Sequence, residues 1–276
     1  MNLFDYGFVV TSAAAQFFGG SSMKSYCGTT IFCLIAGDCI VIGADSMAGS
    51  KNCPIDSMTK LRPIHNCIIA CEGLGALYKM ETGVIYYRAD EWMAKVEQNF
   101  QFATDARTIA SLIEATHPFV DIFKVERQAY SLYEYQKGKG YLAEFLVVSI
   151  VAERFSVVTV RASVDGMNWK IVFKTTVHLD RPSPINSFLH HEVGRIGEIK
   201  KAFSGNGDTY EDMLVRTDGS FGRLLGGEKV GLDELRNIAR SVIALEAKAN
   251  PETVGPPFSI ATLQHGKPVV VMSYSK

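Results

Sequence analysis

The chain has 276 residues, of which 28 are Lys or Arg and 29 are Asp or Glu, so its formal net charge is −1. This balance gives no electrostatic reason to expect nucleic acid or an anionic membrane surface as a partner. The hydrophobic fraction of 47% is that of an ordinary globular protein, and no apolar run approaches the roughly 18 residues that cross a membrane. The composition therefore favours a globular protein and excludes the basic nucleic-acid-binding and membrane-spanning classes.

The first 28 residues are mostly apolar or small and end in a flexible Gly-Gly-Ser-Ser stretch before Tyr26-Cys27-Gly28. Asp5 interrupts the apolar part and no Lys or Arg precedes it, so the segment makes a poor signal peptide. We expect a short pro-segment over residues 1–28, a single domain over residues 29–276 and a cytoplasmic location. Export stays open as the alternative.

A β-hairpin is predicted directly after this segment. Its two apolar, β-branched runs are Thr29–Ala36 and Cys39–Ala44, and the turn pair Gly37-Asp38 joins them. A third strand-like run, Cys67–Cys71, ends on Gly73-Leu74-Gly75. The first 50 residues of the predicted domain are therefore rich in strands.

The cysteines are confined to the first quarter of the chain and form no C-x-x-C pair. Most lie within apolar runs, where a free thiol behaves as a small hydrophobic group. We interpret them as structural thiols, with disulfides or a metal site as the alternative, and they favour a reducing compartment. The six residues are Cys27, Cys33, Cys39, Cys53, Cys67 and Cys71.

Helical spacing follows the third strand-like run. Apolar residues from Leu77 to Phe100 recur with helical period and predict a first helix. Thr104-Asp105 is a predicted N-cap for a second helix, which Pro118 should kink or split. Both helices are expected to cover a sheet.

The middle of the chain returns to strand patterns. Phe145–Val151 and Phe155–Ala162 are apolar and β-branched, and the turn Asp165-Gly166 leads to a third run, Trp169–Val177. The stretch His190-His191-Glu192 lacks the second His of a zinc-binding helix and is predicted to be a polar loop.

The C-terminal third combines helices and strands. A short helical segment is predicted from Thr209, a loop over the Gly-rich residues 219–227, and an amphipathic helix from Leu232 to Leu245. Two strands, Phe258–Leu263 and Pro268–Ser273, close the chain. This order of elements predicts an α+β domain with sheets in the middle and helices outside.

Several residues in the first part of the domain occur in a distinctive order. Gly28-Thr29-Thr30 opens a strand, Asp45-Ser46 ends the next strand, a single Lys60 follows, and Gly73 closes a third strand. In this order the chain resembles proteasome β subunits, the threonine branch of the N-terminal-nucleophile hydrolases. The resemblance implies a four-layer αββα sandwich with two antiparallel sheets between helical layers. It also implies a peptide or amide substrate, an oligomeric ring of subunits, and neither a cofactor nor a metal.

The resemblance assigns a role to each of these residues. Cleavage between Gly28 and Thr29 would free the α-amine of Thr29, whose reference pKa of about 7.7–8.0 suits a base beside the hydroxyl nucleophile. Lys60 would place a cation beside that hydroxyl, and Asp45 would hold Lys60 in place. The backbone N–H of Gly73 would donate to the oxyanion.

Two stretches depart from the family pattern. Where the family has Gly-Ser-Gly-Ser, we align Gly205-Asn206-Gly207-Asp208, so that Asn206 would replace a serine near the nucleophile. Near the C-terminus the family has Asp-x-x-Ser-Gly-Gly, while this chain has Glu252 and, three residues later, Gly255. Glu252 would keep the carboxylate of that motif, and Gly255 would lose its hydroxyl.

Other interpretations stay open at the level of sequence. Thr29 and Thr30 are also ordinary strand residues, Asp45-Ser46 is also a turn, and Lys60 is also a solvated charge. The chain is alternatively a catalytically silent ring subunit or an amidohydrolase acting on a small molecule. Cys27 competes with Thr29 as the N-terminal nucleophile. The mass of the purified chain separates an active from a silent site.

Overall fold

The computed structural model describes residues 8–11, 29–50, 53–79, 85–99, 105–194, 196–251 and 253–275. These residues form a mixed α/β protein with several antiparallel sheets, as the sequence predicts. Among them, no helix is both long enough and apolar enough to cross a membrane.

Strands dominate the first part of the chain, and helices follow them. The elements are β1 (Phe8–Thr11), β2 (Thr30–Gly37), β3 (Cys39–Asp45), β4 (Met47–Ser50), β5 (Cys53–Ser57), β6 (Leu61–Ile64), β7 (Cys67–Gly73), β8 (Ala76–Lys79), β9 (Ile85–Arg88), α1 (Ala89–Asn99), α2 (Ala106–Thr116), α3 (Phe119–Phe123) and α4 (Glu126–Lys139).

The second part starts with long strands and ends with two shorter ones. Its elements are β10 (Ala143–Val151), β11 (Arg154–Asp165), β12 (Lys170–Pro182), β13 (Ile185–Gly194), α5 (Gly197–Phe203), α6 (Asp208–Arg216), α7 (Ser220–Leu225), α8 (Leu232–Ala249), β14 (Phe258–Gln264) and β15 (Val270–Tyr274).

Two five-stranded antiparallel sheets carry most of these strands. The first sheet has the order β13-β2-β3-β14-β15, and the second has the order β12-β11-β10-β7-β6. Two smaller sheets, β1-β8-β9 and β4-β5, lie outside them. In the first of these, Phe8 to Thr11 pair antiparallel with Lys79 to Ala76.

Successive side chains of a strand point to opposite faces of its sheet, and the central strands β2 and β7 are buried on both faces. On β2, Ile31 and Cys33 belong to the apolar cluster between the two sheets, while Phe32 and Leu34 pack with α5, α7 and α8. On β7, Ile68 and Ala70 join the inter-sheet cluster, while Ile69 and Cys71 pack with helices α1 to α4. Continuous apolar runs such as Ile31–Ile35 are therefore explained by burial on both sides.

Close approach of α8 to the first sheet depends on Gly43. A Cβ at this position in β3 would lie 2.2 Å from Cδ1 of Ile243 in α8. The missing side chain makes room for the helix, as is common for glycine within a strand.

The strongest local signals are confirmed. The hairpin of β2 and β3 turns at Gly37 with a φ of +59°. Asp105 caps α2, because its carboxylate accepts the backbone N–H groups of Arg107 and Thr108. Pro118 separates α2 from α3.

Three predictions are wrong. The region predicted as one helix from Leu77 to Phe100 holds β8 and β9 before α1 begins at Ala89, and Leu77 and Tyr87 reach the core from these strands. The residues His190–Glu192 belong to β13, an edge strand whose polar side chains stay partly exposed.

The third wrong prediction concerns the Gly-rich residues 219–227, which hold α7 instead of a loop. The glycines mark its two ends: Gly219 precedes the helix with a φ of +74°, and Gly227 follows it with a φ of +80°. Glycine adopts this left-handed conformation without steric cost. Helix α4 was not predicted, and its weak amphipathic pattern explains why.

Candidate active site

The hairpin of β2 and β3 brings Asp45 next to the beginning of β2. In its register Ile31 pairs with Ala44, so Asp45 lies beside Thr30. The backbone N–H of Thr30 donates to Oδ1 of Asp45 at 2.9 Å. Asp45 is fully buried, and a buried carboxylate needs such partners.

Lys60 is the second partner of Asp45. Its Nζ lies 3.0 Å from both carboxylate oxygens, and the two side chains are only 5% and 0% exposed. The carbonyl of Lys60 accepts the backbone N–H of Cys71, which anchors this position to β7. A buried ion pair costs desolvation that its attraction barely repays, so stability alone is a weak reason to keep one.

Thr29 lies directly before β2, which begins at Thr30, and is 5% exposed. Gly194, the last residue of β13, pairs with Thr30 and has a φ of +91°. A Cβ on Gly194 would lie 1.9 Å from the carbonyl oxygen of Thr29. Only glycine fits here, so the end of β13 is packed directly against the backbone of Thr29.

Gly73 ends β7 in a conformation that also requires glycine. Its φ is +105°, and a Cβ would lie 2.5 Å from the carbonyl oxygen of Leu142 and 2.7 Å from Cα of Ala143. The backbone N–H of Leu74 donates to the same Leu142 carbonyl at 2.7 Å. The end of β7 is therefore fixed against the beginning of β10.

The structure does not bring Asn206 to this group. Asn206 is exposed, and the hydroxyl of Ser204 lies 3.2 Å from its Oδ1. Helix α5, which is about 10 Å long at 1.5 Å per residue, separates it from the Gly194 end of β13. The residue that the structure places beside Thr29 in this part of the chain is Gly194.

The remaining sequence candidates are only partly described. Glu252 lies outside the described residues, as do Gly28 and Cys27. Gly255 is buried, and its carbonyl accepts the backbone N–H of Ser46 at 3.4 Å. The loop before β14 therefore contacts the end of β3 directly after Asp45.

Sequence reasoning missed two residues beside Thr29. One is Gly194, which became recognisable only once the preceding residues were seen as a strand. The other is Glu72, whose Cγ lies 3.2 Å from the same position that a Cβ on Gly194 would occupy. Glu72 precedes Gly73 and is 2% exposed, and a charged residue at the end of an apolar run was the available signal.

The described thiols do not compete as nucleophiles. Burial raises the pKa of Cys33, Cys39 and Cys67 to about 12, so these thiols stay protonated near neutral pH. Within the described part of the chain, no group of three His, Cys, Asp or Glu side chains is arranged to hold a metal ion.

No protein-family model matches the sequence, and no curated protein matches it either. The assignment of a function therefore depends on the geometry around Thr29.

Proposed function

We propose that the chain is a threonine-type N-terminal-nucleophile hydrolase that cleaves peptide or related amide bonds. The observation that carries the proposal is the buried Lys60–Asp45 ion pair, whose carboxylate also binds the backbone N–H of Thr30. The carboxylate of the pair therefore contacts the N–H that directly follows Thr29, the residue that would become the N-terminus.

The packing of the sheets supports the αββα sandwich of this enzyme class. One apolar cluster joins α1 to α4 to the second sheet, one lies between the two sheets, and one joins the first sheet to α5, α6, α7 and α8. These three clusters support the order of helices, sheet, sheet and helices that we propose.

Maturation is the first reaction of the proposed enzyme. The hydroxyl oxygen of Thr29 attacks the carbonyl carbon of Gly28, and the peptide C–N bond breaks as its nitrogen takes up a proton. The acyl group of residues 1–28 is then an ester on Thr29, and water hydrolyses it to a carboxylic acid. The products are the segment 1–28 and a chain that begins with a free α-amine at Thr29.

Turnover repeats this chemistry on a second molecule. The α-amine of Thr29 accepts the proton of its own hydroxyl, whose oxygen attacks the substrate amide. The amine product leaves with a proton, and water hydrolyses the acyl-enzyme. Lys60 stabilises the developing negative charge on the Thr29 oxygen, and the N–H of Gly73 donates to the oxyanion.

The Lys60–Asp45 pair also favours an enzyme over a silent subunit. A silent subunit gains nothing from burying an ammonium, because apolar residues of similar volume are often as stable or more stable in place of a buried ion pair. An enzyme that stabilises charge on the Thr29 oxygen needs the cation.

The intact mass of the purified full-length chain tests the proposal. We expect the mass to fall by that of residues 1–28 during incubation. The measurement is made under denaturing conditions, because β1 pairs with β8 and the cleaved segment can stay bound. Thr29→Val, which keeps the side-chain shape but removes the hydroxyl, should remain uncleaved, and Thr29→Ser should be cleaved.

Thr159→Val is the matched control, since Thr159 is likewise a buried strand threonine but lies in β11, where its hydroxyl contacts Nε2 of His178. It should be cleaved like the wild type. The mature protein should then open a peptide β-lactone and gain the mass of the whole reagent on residue 29. A wild-type chain that stays full length and takes up no label contradicts the proposal.

A further inference from the structure

A second buried ion pair lies directly beside the proposed site. The Nζ of Lys139 donates to Oε1 of Glu72 at 2.6 Å, and the two side chains are 8% and 1% exposed. The hydroxyl of Tyr141 donates to Oε2 of Glu72 at 2.7 Å. The two oxygens of the carboxylate therefore have one donor from the last residue of α4 and one from the segment that joins α4 to β10.

The position of Glu72 in the fold is unusual for a charged residue. Residues alternate along β7, so Glu72 points to the same side as Ile68 and Ala70, toward the first sheet. The apolar inter-sheet cluster lies on that side, together with a second buried carboxylate, Glu144, which pairs with Glu72 in the β7–β10 register. A carboxylate at this place costs desolvation, and its interactions with Lys139 and Tyr141 offset that cost.

Glu72 connects three parts of the proposed site. Its peptide bond to Gly73 carries the N–H that would donate to the oxyanion. Its Cγ lies 3.2 Å from the point that a Cβ on Gly194 would occupy, and the carbonyl oxygen of Thr29 lies 1.9 Å from the same point. The segment that holds its carboxylate continues into Leu142, whose carbonyl accepts the N–H of Leu74.

We infer that Glu72 is a positioning residue, which Lys139 and Tyr141 fix in place so that the N–H of Gly73 points at the oxyanion formed at Thr29. The inference rests on the proposed function. A donor contributes to catalysis only when its direction is set before the reaction. The φ of +105° at Gly73 allows the preceding peptide to rotate, and the anchored Glu72 side chain restrains that rotation.

The role assigned to Glu72 predicts an effect on turnover instead of binding. Tyr141→Phe removes one donor to Glu72 but keeps the ring and leaves the Lys139–Glu72 ion pair intact. We expect kcat for a peptide amide to fall by about three- to tenfold with KM unchanged, since one hydrogen bond is loosened in the transition state. Cleavage after Gly28 should slow by a similar factor.

The measurement uses the full chain after complete processing, with kcat expressed per site labelled by the peptide β-lactone. This normalisation removes any loss of folded protein from the comparison. Tyr133→Phe is the matched control, because Tyr133 is a half-buried tyrosine that packs on Trp169 away from Thr29. It should leave kcat per labelled site unchanged.

A second pair of variants tests the carboxylate itself. Glu72→Gln should lower kcat per labelled site more than Tyr141→Phe does. Glu144→Gln should not lower it, although Glu144 faces Glu72 in the β7–β10 register and also holds a cation, Arg161. If Glu72→Gln fails to fold, the Tyr141 and Tyr133 variants decide the question alone.

Three results are distinguishable. A fall in kcat confined to the Tyr141 and Glu72 variants supports the inference. An unchanged kcat per labelled site, or a lower melting temperature as the sole effect, shows a purely structural role and overturns it. A wild-type chain that is neither cleaved nor labelled overturns the proposed function, and the inference falls with it.

Discussion

The two buried lysine–carboxylate pairs near Thr29 are alike in chemistry and differ in what their carboxylates hold. Asp45 binds Lys60 and the backbone N–H of Thr30, whereas Glu72 binds Lys139 and the hydroxyl of Tyr141. Burial is similar in both pairs. Under the proposed function, the difference teaches that burial alone does not identify the catalytic lysine. Contact of its carboxylate partner with the peptide N–H that directly follows Thr29 is the better criterion.

Replacing each of the two lysines should give the largest difference in activity between the two pairs. Lys60→Met and Lys139→Met each leave a buried carboxylate unpaired, so each should lower the free energy of unfolding by about 3–5 kcal/mol. Lys60→Met should also lower the rate of peptide hydrolysis by about 10²–10⁴-fold, whereas Lys139→Met should lower it about tenfold at most. Denaturant unfolding and kcat per labelled site measure the two effects.

Each lysine variant leaves a buried negative charge that can cause misfolding. Double variants that remove both charges of a pair avoid this problem. Asp45→Asn with Lys60→Met removes one pair, and Glu72→Gln with Lys139→Met removes the other. Equal losses of activity in the two double variants would contradict the distinction between a catalytic and a positioning pair.

Gly194 is the point at which Glu72 approaches the backbone of Thr29, and its replacement should have the next largest effect. Gly194→Ala places a Cβ against the Thr29 carbonyl oxygen in a left-handed backbone conformation. We expect the free energy of unfolding to fall by about 2–4 kcal/mol and cleavage after Gly28 to slow.

Gly227→Ala is the matched control for this prediction. Gly227, which follows α7, has a similar φ of +80°, but an added Cβ has no atom of the described chain within 4 Å. This variant has the strain of the left-handed conformation but no steric clash. It should therefore lose less stability and be cleaved after Gly28 at the normal rate. Equal stability losses would mean that the contact with Thr29 is unimportant.

A pH profile of either ion pair requires that the fold be stable over the same range, and His117 limits that stability. Burial lowers the pKa of His117 to about 3, and its Nδ1 accepts the backbone N–H of Phe119. Below pH 6.5 the unfolded chain binds a proton at this residue and the folded chain does not. The contribution of His117 to stability is therefore complete above pH 6.5 and is lost progressively as the pH falls toward 3.

Because of this proton, the free energy of unfolding should fall by about 2 kcal/mol from pH 7 to pH 5, at 1.36 kcal/mol per pH unit below 6.5. In His117→Phe the difference between the free energies of unfolding at pH 7 and pH 5 should shrink by that amount. The ring of the variant fits among Trp92, Phe119 and Phe145. An unchanged difference would show that His117 is not the group that titrates.

The difference between the two pairs also explains which contacts can be predicted from the sequence. The β2–β3 hairpin is local, so its turn residues and alternating burial predict it, and Asp45 and Lys60 are only 15 positions apart. The Lys139–Glu72 pair joins residues 67 positions apart, and no local pattern encodes that contact.

Strand β13 shows the same limit in another region. Its pairing with β2 brings Gly194 beside Thr30 across more than half of the chain. A polar edge strand lacks the apolar alternation that marks the central strands, so its residues resemble a loop. Because β13 cannot be recognised from the sequence, the Gly-containing stretch after Phe203 aligns best with the Gly-Ser-Gly-Ser motif of the proteasome β subunits. The sequence therefore points to Asn206.

Asn206→Ser should have the smallest effect of all. Asn206 is exposed and lies beyond α5, so restoring the family's serine at this position should change neither cleavage after Gly28 nor kcat. The free energy of unfolding should change by less than about 0.5 kcal/mol, as for most surface substitutions. Intact mass over time and kcat per labelled site measure this. A change in rate beyond about threefold, roughly 0.65 kcal/mol, would bring Asn206 into the site.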